Sequence, residues 1–458
     1  MRIHFIAIGG SAMHNLAIAL KKNGHVISGS DDEIFEPSKS RLKRYGLLPE
    51  QVGWHPEKIQ PDLDAIILGM HARADNPELL RAKALGIKIY SYPEFLYHHA
   101  KNKKRVVIGG SHGKTTITAM VMHVLRSLQK DFDYLVGSRL PDFEVMVRLS
   151  DDAPLMIFEG DEYLSSPIDR RPKFHWYRPH VALLSGIAWD HINVFPSLET
   201  YLQQFAIFIR LMEPRGVLVY NAEDEPLTRL VQTERVDLQK VPYTSLPFEV
   251  KNGITWLKVG EKPIPLQIFG KHNLSNLHGA WLVCRALGVR DEDFFEAISR
   301  FKGAAKRLEL IAQKGKGRLY SDFAHAPSKL KATLAAVKQQ FPNQPVVACF
   351  ELHTFSSLNH DFLAQYAGTM DRADQAVVFY SPHALQMKKL PPLDKTVVKQ
   401  AFARDDLQVF DDREKLVSYL IKNTTPDSVF LMMSSGTFNG LNMKALADKL
   451  LNSQGAEK

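Results

Sequence analysis

The stretch Arg105–Thr118 reads RVVIGGSHGKTTIT, and it restricts the possible folds more than any other part of the chain. Val106, Val107 and Ile108 are consecutive β-branched residues, the pattern of a strand buried on both faces of a parallel sheet. Gly109, Gly110, Ser111, His112 and Gly113 follow as a turn. Beyond Lys114, Thr115 and Thr116, apolar residues stand at Ile117, Met120, Val121, Val124, Leu125 and Leu128, a spacing that puts them on one face of a helix. Strand, glycine turn, Lys-Thr and helix is the layout of a loop that cradles phosphates. Glycine removes side chains so that backbone N–H groups can point inward, and the positive end of the helix faces the anion. Lys114 then offers a compact charge to the β/γ oxygens of a nucleoside triphosphate, and the Thr115 hydroxyl a magnesium ligand. The longer form of the motif has a glycine where Ile108 stands, so the match is to a shorter variant, G-S-H-G-K-T-T. An ordinary turn that happens to carry Lys-Thr is the alternative.

A chain of 458 residues has room for about three domains. Its 45% apolar and 24% charged residues are the balance of an ordinary globular protein. No apolar run is long enough for a bilayer, so no membrane partner is expected. The opening MRIHFIAIGG reads as a strand entering a glycine turn and not as a cleavable signal. Cys284 and Cys349 sit far apart in apolar segments, which predicts buried free thiols and a reducing, cytoplasmic location. The net charge of +8 comes without a basic block interleaved with aromatics, so nucleic acid is not an expected partner. A polyanionic small substrate or a scattered basic surface accounts for it.

Strands and helices alternate along the chain. Residues 1–103 read as a Rossmann-like unit, with strands at Ile3–Ile8, His25–Ser28, Ala65–Leu68 and Lys88–Tyr90 and a helix at Ala12–Lys22. Its first turn, Gly9-Gly10-Ser11, departs from the dinucleotide fingerprint but can hold a diphosphate. Asp31 stands where a ribose-contacting acid usually stands, or else caps a turn. The charged stretch Lys101–Arg105 marks the boundary to a central phosphate-loop domain, residues 104–302, with strands at Leu155–Phe158 and Val181–Leu184 and a helix near Leu198–Leu211. Residues 303–458 form a second doubly wound α/β unit with strands at Leu319–Ser321, Val346–Phe350, Ala376–Phe379 and Val429–Met433. The tail Asn452–Lys458 is expected to be disordered.

Several residue groups at strand ends carry possible chemistry. Glu159-Gly160-Asp161-Glu162 follows a strand beside the phosphate loop, where Glu159 can hold magnesium. For Asp161 and Glu162 a solvated acidic turn is an equal reading. Asp190-His191 follows the next strand, and His191 either takes a divalent ion or orients a phosphate, or is a structural hydrogen bonder. Asn273 and Asn276 lie one turn apart at a helix start, where amides can read an adenine edge or Asn273 can cap the helix. Lys306-Arg307 can reach a γ-phosphate, Asp322 can hold ribose or orient the nucleotide, and His325 shares the Asp322 turn.

Together GSHGKTT, EGDE, DH, GKHNLSN, KRLEL and SDFAHAP resemble, in order, the motifs of the Mur ligase family, the ATP-dependent amide-forming enzymes of bacterial cell-wall synthesis. GGSAMHNLA and the SGSD ending at Asp31 are similar to the members that use UDP-N-acetylmuramate. GMHARADNP, EGDEYLSSPIDRRPKFHWYRP and KRLEL resemble those members that attach an intact peptide. The resemblance implies three α/β domains: an N-terminal UDP-sugar domain, a central ATPase-like domain and a C-terminal domain for the amine. It implies ATP and Mg2+, with Thr115, Glu159 and His191 as metal ligands and Lys114, Glu159, His191, Arg307 and Asp322 as catalytic residues. Gly110, Ser111, His112, Gly113, Lys114, Thr115, Thr116, Asn273, Asn276, Arg307 and Asp322 would bind ATP. Gly9, Gly10, Ser11, Asp31, His71 and Asn76 would bind the UDP-sugar, and His325 the amine substrate. That amine is the tripeptide L-alanyl-γ-D-glutamyl-meso-diaminopimelate or, on the same scaffold, L-alanine. A non-catalytic nucleotide-binding regulator is a third reading, and a monomer or weak homodimer is expected. The family has an alanine where Gly160 stands, an acid where Ala188 stands and Pro-Arg where Leu352-His353 stands.

Overall fold

The computed structural model describes residues 1–138, 140, 143, 145–189, 194–260 and 262–452. The chain packs into two compact units, Met1–Ser245 with Ser275–Ile298, and Leu246–Leu274 with Ser299–Lys458. Among the described residues no helix is long and apolar enough to cross a membrane. Cys284 and Cys349 are both buried free thiols.

The first unit holds two sheets. One has strands β1 (Arg2–Ile6), β2 (Val26–Ser30), β3 (Ala65–Leu68) and β4 (Ile89–Ser91) in the order β2-β1-β3-β4, all parallel. The chain crosses β1 between β2 and β3, so the carboxyl ends of β1 and β3 flank a switch point, where open α/β sheets bind ligands. Gly9, Gly10 and His71 lie just past those ends. Strand β1 stops at Ile6, two residues before the predicted end, because Ala7 turns left-handed at φ 68°.

The larger sheet runs β11-β10-β9-β5-β8-β6-β7, with β5 (Lys104–Gly109), β6 (Asp133–Leu135), β7 (Val147–Arg148), β8 (Leu155–Glu159), β9 (Val181–Leu184), β10 (Val217–Asn221) and β11 (Gln239–Tyr243). Only the β6–β7 pair in it is antiparallel. Strand β5 lies between β8 and β9 with Val106, Val107 and Ile108 fully buried, as continuous β-branched residues require. The helix Lys114–Ser127 follows, and Ile117, Met120, Val121, Val124 and Leu125 are its fully buried face.

The charged segment Lys101–Arg105 is partly internal. Lys103 is buried and donates to Asp133 Oδ2 at 2.8 Å, Ser150 O at 2.6 Å and Ala153 O at 3.0 Å. Arg105 is buried too, and its guanidinium binds the carbonyls of Tyr177, Arg178, Ala100 and Lys101 and the Glu213 carboxylate. Their charges are matched by acceptors on β6 and on later loops, which no local pattern reveals.

The second unit holds an antiparallel sheet of β12 (Phe248–Lys251), β13 (Ile254–Leu257) and β14 (Ile264–Leu266). Its main sheet runs β15-β16-β20-β17-β18-β19, from β15 (Glu309–Lys314), β16 (Gly317–Asp322), β17 (Val346–Leu352), β18 (Gln375–Tyr380), β19 (Gln408–Phe410) and β20 (Val429–Met433). All its pairs are parallel except the hairpin β15–β16. The helix Pro327–Gln340 buries Leu330, Leu334 and Val337 against this sheet. Asn452, the first residue of the expected tail, closes the helix Met443–Asn452, and the residues after it lie outside the described ones.

Candidate active site

The turn after β5 has the backbone an anion-binding loop needs. Gly110 is at φ 113° and Gly113 at φ 81°, both in the region that glycine reaches without strain. A Cβ on Gly110 would meet Ser185 N at 2.7 Å, and one on Gly113 would run into the side-chain amide of Asn276. Asn276 is therefore packed directly on the loop. Ser111 N donates to Gly186 O at 3.0 Å, tying the loop to the end of β9. His112 Nδ1 lies 2.9 Å from Ser111 O, and Thr116 is buried in the first helical turn.

Two acids stand over the start of the helix. Lys114 Nζ donates to Gly110 O at 2.6 Å and to Glu162 Oε2 and Oε1 at 2.8 and 3.1 Å. Burial disfavours its ammonium, but Glu162, Asp161 and Glu159 outweigh that, and the Lys114 pKa is raised above the ordinary lysine value. Thr115 Oγ1 donates to Glu159 Oε1 at 2.7 Å, and Gly137 N to Glu159 Oε2 at 2.8 Å. Asp161 binds Lys173 Nζ at 2.5 Å. Asp190 and His191 lie outside the described residues.

At the switch point of the first sheet, Gly9 N donates to Asp31 Oδ2 at 2.7 Å. Asp31 is almost fully buried, and burial, reinforced by Asp32, pushes its carboxyl up to about 6 against the bonds that it accepts from Gly9 and Glu33. Gly10 and Ser11 open the helix Ser11–Lys22, with Gly10 as its N-cap. Asn76 caps the helix Pro77–Ala84, its Oδ1 accepting from Glu78 N at 3.0 Å and Leu79 N at 3.1 Å. His71 is exposed on the loop after β3.

The second unit gathers four further candidates. Asp322 at the end of β16 is buried and accepts from Leu308 N and Ala324 N, both at 2.8 Å. Burial raises its carboxyl pKa, although those backbone donors, Arg307 and His272 oppose the shift. Asp322 so anchors the segment Lys306–Leu308, in which Lys306 and Leu308 are left-handed at φ 53° and 48°. Arg307 lies between them with its guanidinium 4.7 Å from the Phe323 ring centre. His325 Nδ1 is 2.9 Å from Phe323 O, and Tyr366 Oη donates to the His325 carbonyl at 2.7 Å. Asn273 donates to Phe269 O at 2.9 Å, bracing the turn that starts its helix.

Three family models match successive parts of the chain: the Mur ligase family catalytic domain at residues 2–104, the Mur ligase middle domain at 108–284 and the Mur ligase glutamate ligase domain at 306–436. A UDP-N-acetylmuramate–L-alanine ligase of Arthrobacter sp. is 30% identical over 387 residues, 82% of this chain and 80% of that protein. The chain belongs to the Mur ligase family. As a Mur ligase it is an ATP-dependent enzyme that forms amide C–N bonds. The UDP-N-acetylmuramate–L-alanyl-γ-D-glutamyl-meso-2,6-diaminoheptandioate ligase of Haemophilus influenzae is 27% identical over 98% of this chain and 99% of its own. The crystal structure of the UDP-N-acetylmuramate-alanine ligase MurC from Thermotoga maritima shares the fold, with a TM-score of 0.71 at 22% identity over 98% of both chains.

Two features of this Mur ligase were hidden from the sequence reading. Glu162, for which a solvated turn was an equal reading, is buried against Lys114 with its side chain 1% exposed. An acid three residues past a strand end carries no sign of whether it turns in or out. Gly160 has little room for a side chain: an added Cβ would lie 2.8 Å from Val107 Cγ1 and 3.2 Å from Ile108 O. A magnesium ion fits the donors present. Thr115 Oγ1 and the Glu159 carboxylate are adjacent hard oxygens, and Mg2+ in such sites takes one or two carboxylates and completes its shell with phosphate and water.

Proposed function

We propose that this Mur ligase joins the lactyl carboxylate of UDP-N-acetylmuramate to the amino group of L-alanyl-γ-D-glutamyl-meso-diaminopimelate, using ATP. The observation that carries the ATP chemistry is the arrangement around the β5 turn: glycine backbone at positive φ, Lys114 held by Glu162, and Thr115 paired with Glu159. The choice of amine is supported by the near full-length likeness to the Haemophilus influenzae tripeptide ligase.

A carboxylate and an amine do not condense in water unaided. ATP transfers its γ-phosphoryl group to the lactyl carboxylate, giving an acyl phosphate and ADP. The peptide amine attacks the acyl carbon, and the tetrahedral intermediate expels phosphate. Phosphoryl transfer depends mainly on positioning and charge stabilisation. Lys114 supplies the fixed charge at the β/γ oxygens, and the loop amides from Gly110 to Thr115, apart from Ser111 N, are assigned to the phosphate tail. Mg2+, when bound, neutralises phosphate charge, and we assign Thr115, Glu159 and His191 to hold it. Arg307 is assigned to the phosphoryl group, Asp322 and the amides of Asn273 and Asn276 to the nucleotide, and His325 to the incoming peptide. Asp31, with Gly9, Gly10, Ser11, His71 and Asn76, is assigned to the UDP-sugar.

L-Alanine is the second reading, favoured by relatives such as the Arthrobacter enzyme. ADP release with either the tripeptide or L-alanine as sole amine separates them. Turnover with L-alanine and none with the tripeptide overturns the first assignment.

A further inference from the structure

Glu162 has no part in the reaction set out above, yet it holds the loop lysine from a buried position. It has a second partner on another element. Tyr201, in the first turn of the helix Leu198–Arg210, is fully buried, and its hydroxyl donates to Glu162 Oε1 at 3.0 Å. The phenol oxygen of Tyr201 also stands 3.2 Å from Ser111 Oγ. Ser111 Oγ in turn accepts from Ala188 N at 2.8 Å and lies 2.7 Å from Ala188 O. One phenol thus touches the phosphate loop on one side and the carboxylate of its lysine on the other.

The phenol is well held. Its ring packs edge-on against Phe205, with centroids 5.2 Å apart, and tilted against Phe195 at 5.4 Å. The helix that carries it begins in a capping box of Ser197 and Thr200. A hydroxyl on so fixed a ring restrains the groups that bond to it. The proton count gives the direction. A phenol has one proton and an ionised carboxylate is its strongest acceptor here, so that proton goes to Glu162. The Ser111 proton is left for Ala188 O or the phenol oxygen.

We propose that Tyr201 is a positioning residue for the phosphate loop, its hydroxyl fixing Ser111 and dividing the Glu162 carboxylate so that Lys114 stays in place and can still turn to a triphosphate. The proposal rests on the ATP reading above and specifies what prepares that site. Without the hydroxyl, Glu162 loses a donor and competes more strongly with the triphosphate for the lysine, while Ser111 loses its contact with the phenol.

The test uses the full chain as wild type, Tyr201→Phe and Ser111→Ala. MgATP affinity is measured by titration, and hydrogen exchange at residues 110–116 is followed without nucleotide. Loss of one charge-assisted hydrogen bond predicts that Tyr201→Phe weakens MgATP about tenfold, with the KM of UDP-N-acetylmuramate unchanged and exchange across the loop accelerated. Ser111→Ala removes the other contact of the phenol and accelerates the same exchange, so the proposal is tested even where Tyr201→Phe fails to fold. Wild-type affinity and wild-type exchange in Tyr201→Phe overturn the brace and leave the ligase reading intact. A wild-type chain that binds no MgATP overturns both.

Discussion

At the scale of single residues, Lys114 and Asp31 show how burial and partners tune a charge. Lys114→Ala is expected to abolish amine-dependent ADP formation while leaving UDP-sugar binding intact. It also leaves Glu162 buried without its cation, which costs about 1–3 kcal/mol. The double variant Lys114→Met with Glu162→Gln should recover the thermal midpoint but not the turnover, and recovered turnover would remove Lys114 from the chemistry. Asp31 gives a pH signature. Its folded carboxyl is raised to about 6 from an ordinary value of 3.8. A raised acid favours folding when protonated, so its contribution is present below about 4 and lost as the pH rises through about 6. Asp31→Asn keeps an acceptor for Gly9 N and carries no charge. It should therefore be more stable than wild type at pH 7.5, by on the order of 1–3 kcal/mol, with the gap closing near pH 4. Denaturant midpoints at the two pH values decide it. Separately, Asp31→Ala should raise the KM for the UDP-sugar and leave that for ATP unchanged.

At the scale of elements, β5 and β8 meet the loop through contacts that leave no room. Gly160 N donates to Ile108 O at 2.8 Å, and the glycine faces Val107. Gly160→Ala should cost about 1–3 kcal/mol by overpacking. Adding Val107→Ala should return part of it, since the nearest obstacle is a Val107 methyl, and additive losses in the double-mutant cycle would show the clash is not the cause. The strand and its helix were legible because β-branched continuity and helical spacing are local properties. So were other strands: Ala65–Leu68, Val181–Leu184 and Val429–Met433 are found at the residues expected. The antiparallel strand β15 was not foreseen. Glu309–Lys314 alternates irregularly, and it pairs with β16 through a register shift between Leu310 and Ala312, so its pattern is broken where it pairs.

At the scale of the whole molecule, binding and folding are linked. A ligand that binds only the folded chain stabilises it by about 2.7 kcal/mol at a hundredfold excess over its Kd. MgATP should raise the thermal midpoint of the wild type, and the shift should vanish in Lys114→Ala. An equal shift in both would move the nucleotide away from the β5 turn. The sheet orders also explain where in each unit the candidates stand. Gly9 after β1, the loop after β5 and Asp322 at the end of β16 all lie at carboxyl ends of parallel strands, where α/β sheets leave room for ligands.

What could be read from the chain alone was the class of chemistry: residue types at short spacing, such as Gly113-Lys114-Thr115 after a β-branched strand, act through backbone geometry that neighbours in sequence supply. The partners of those residues needed the folded coordinates. Glu162 and Tyr201 come to Lys114 and Ser111 from 48 and 90 residues away, and Lys103 and Arg105 are internal because Asp133 and Glu213 meet them. Whether a charge faces water or a counter-charge depends on segments distant in sequence, and no local periodicity encodes that distance.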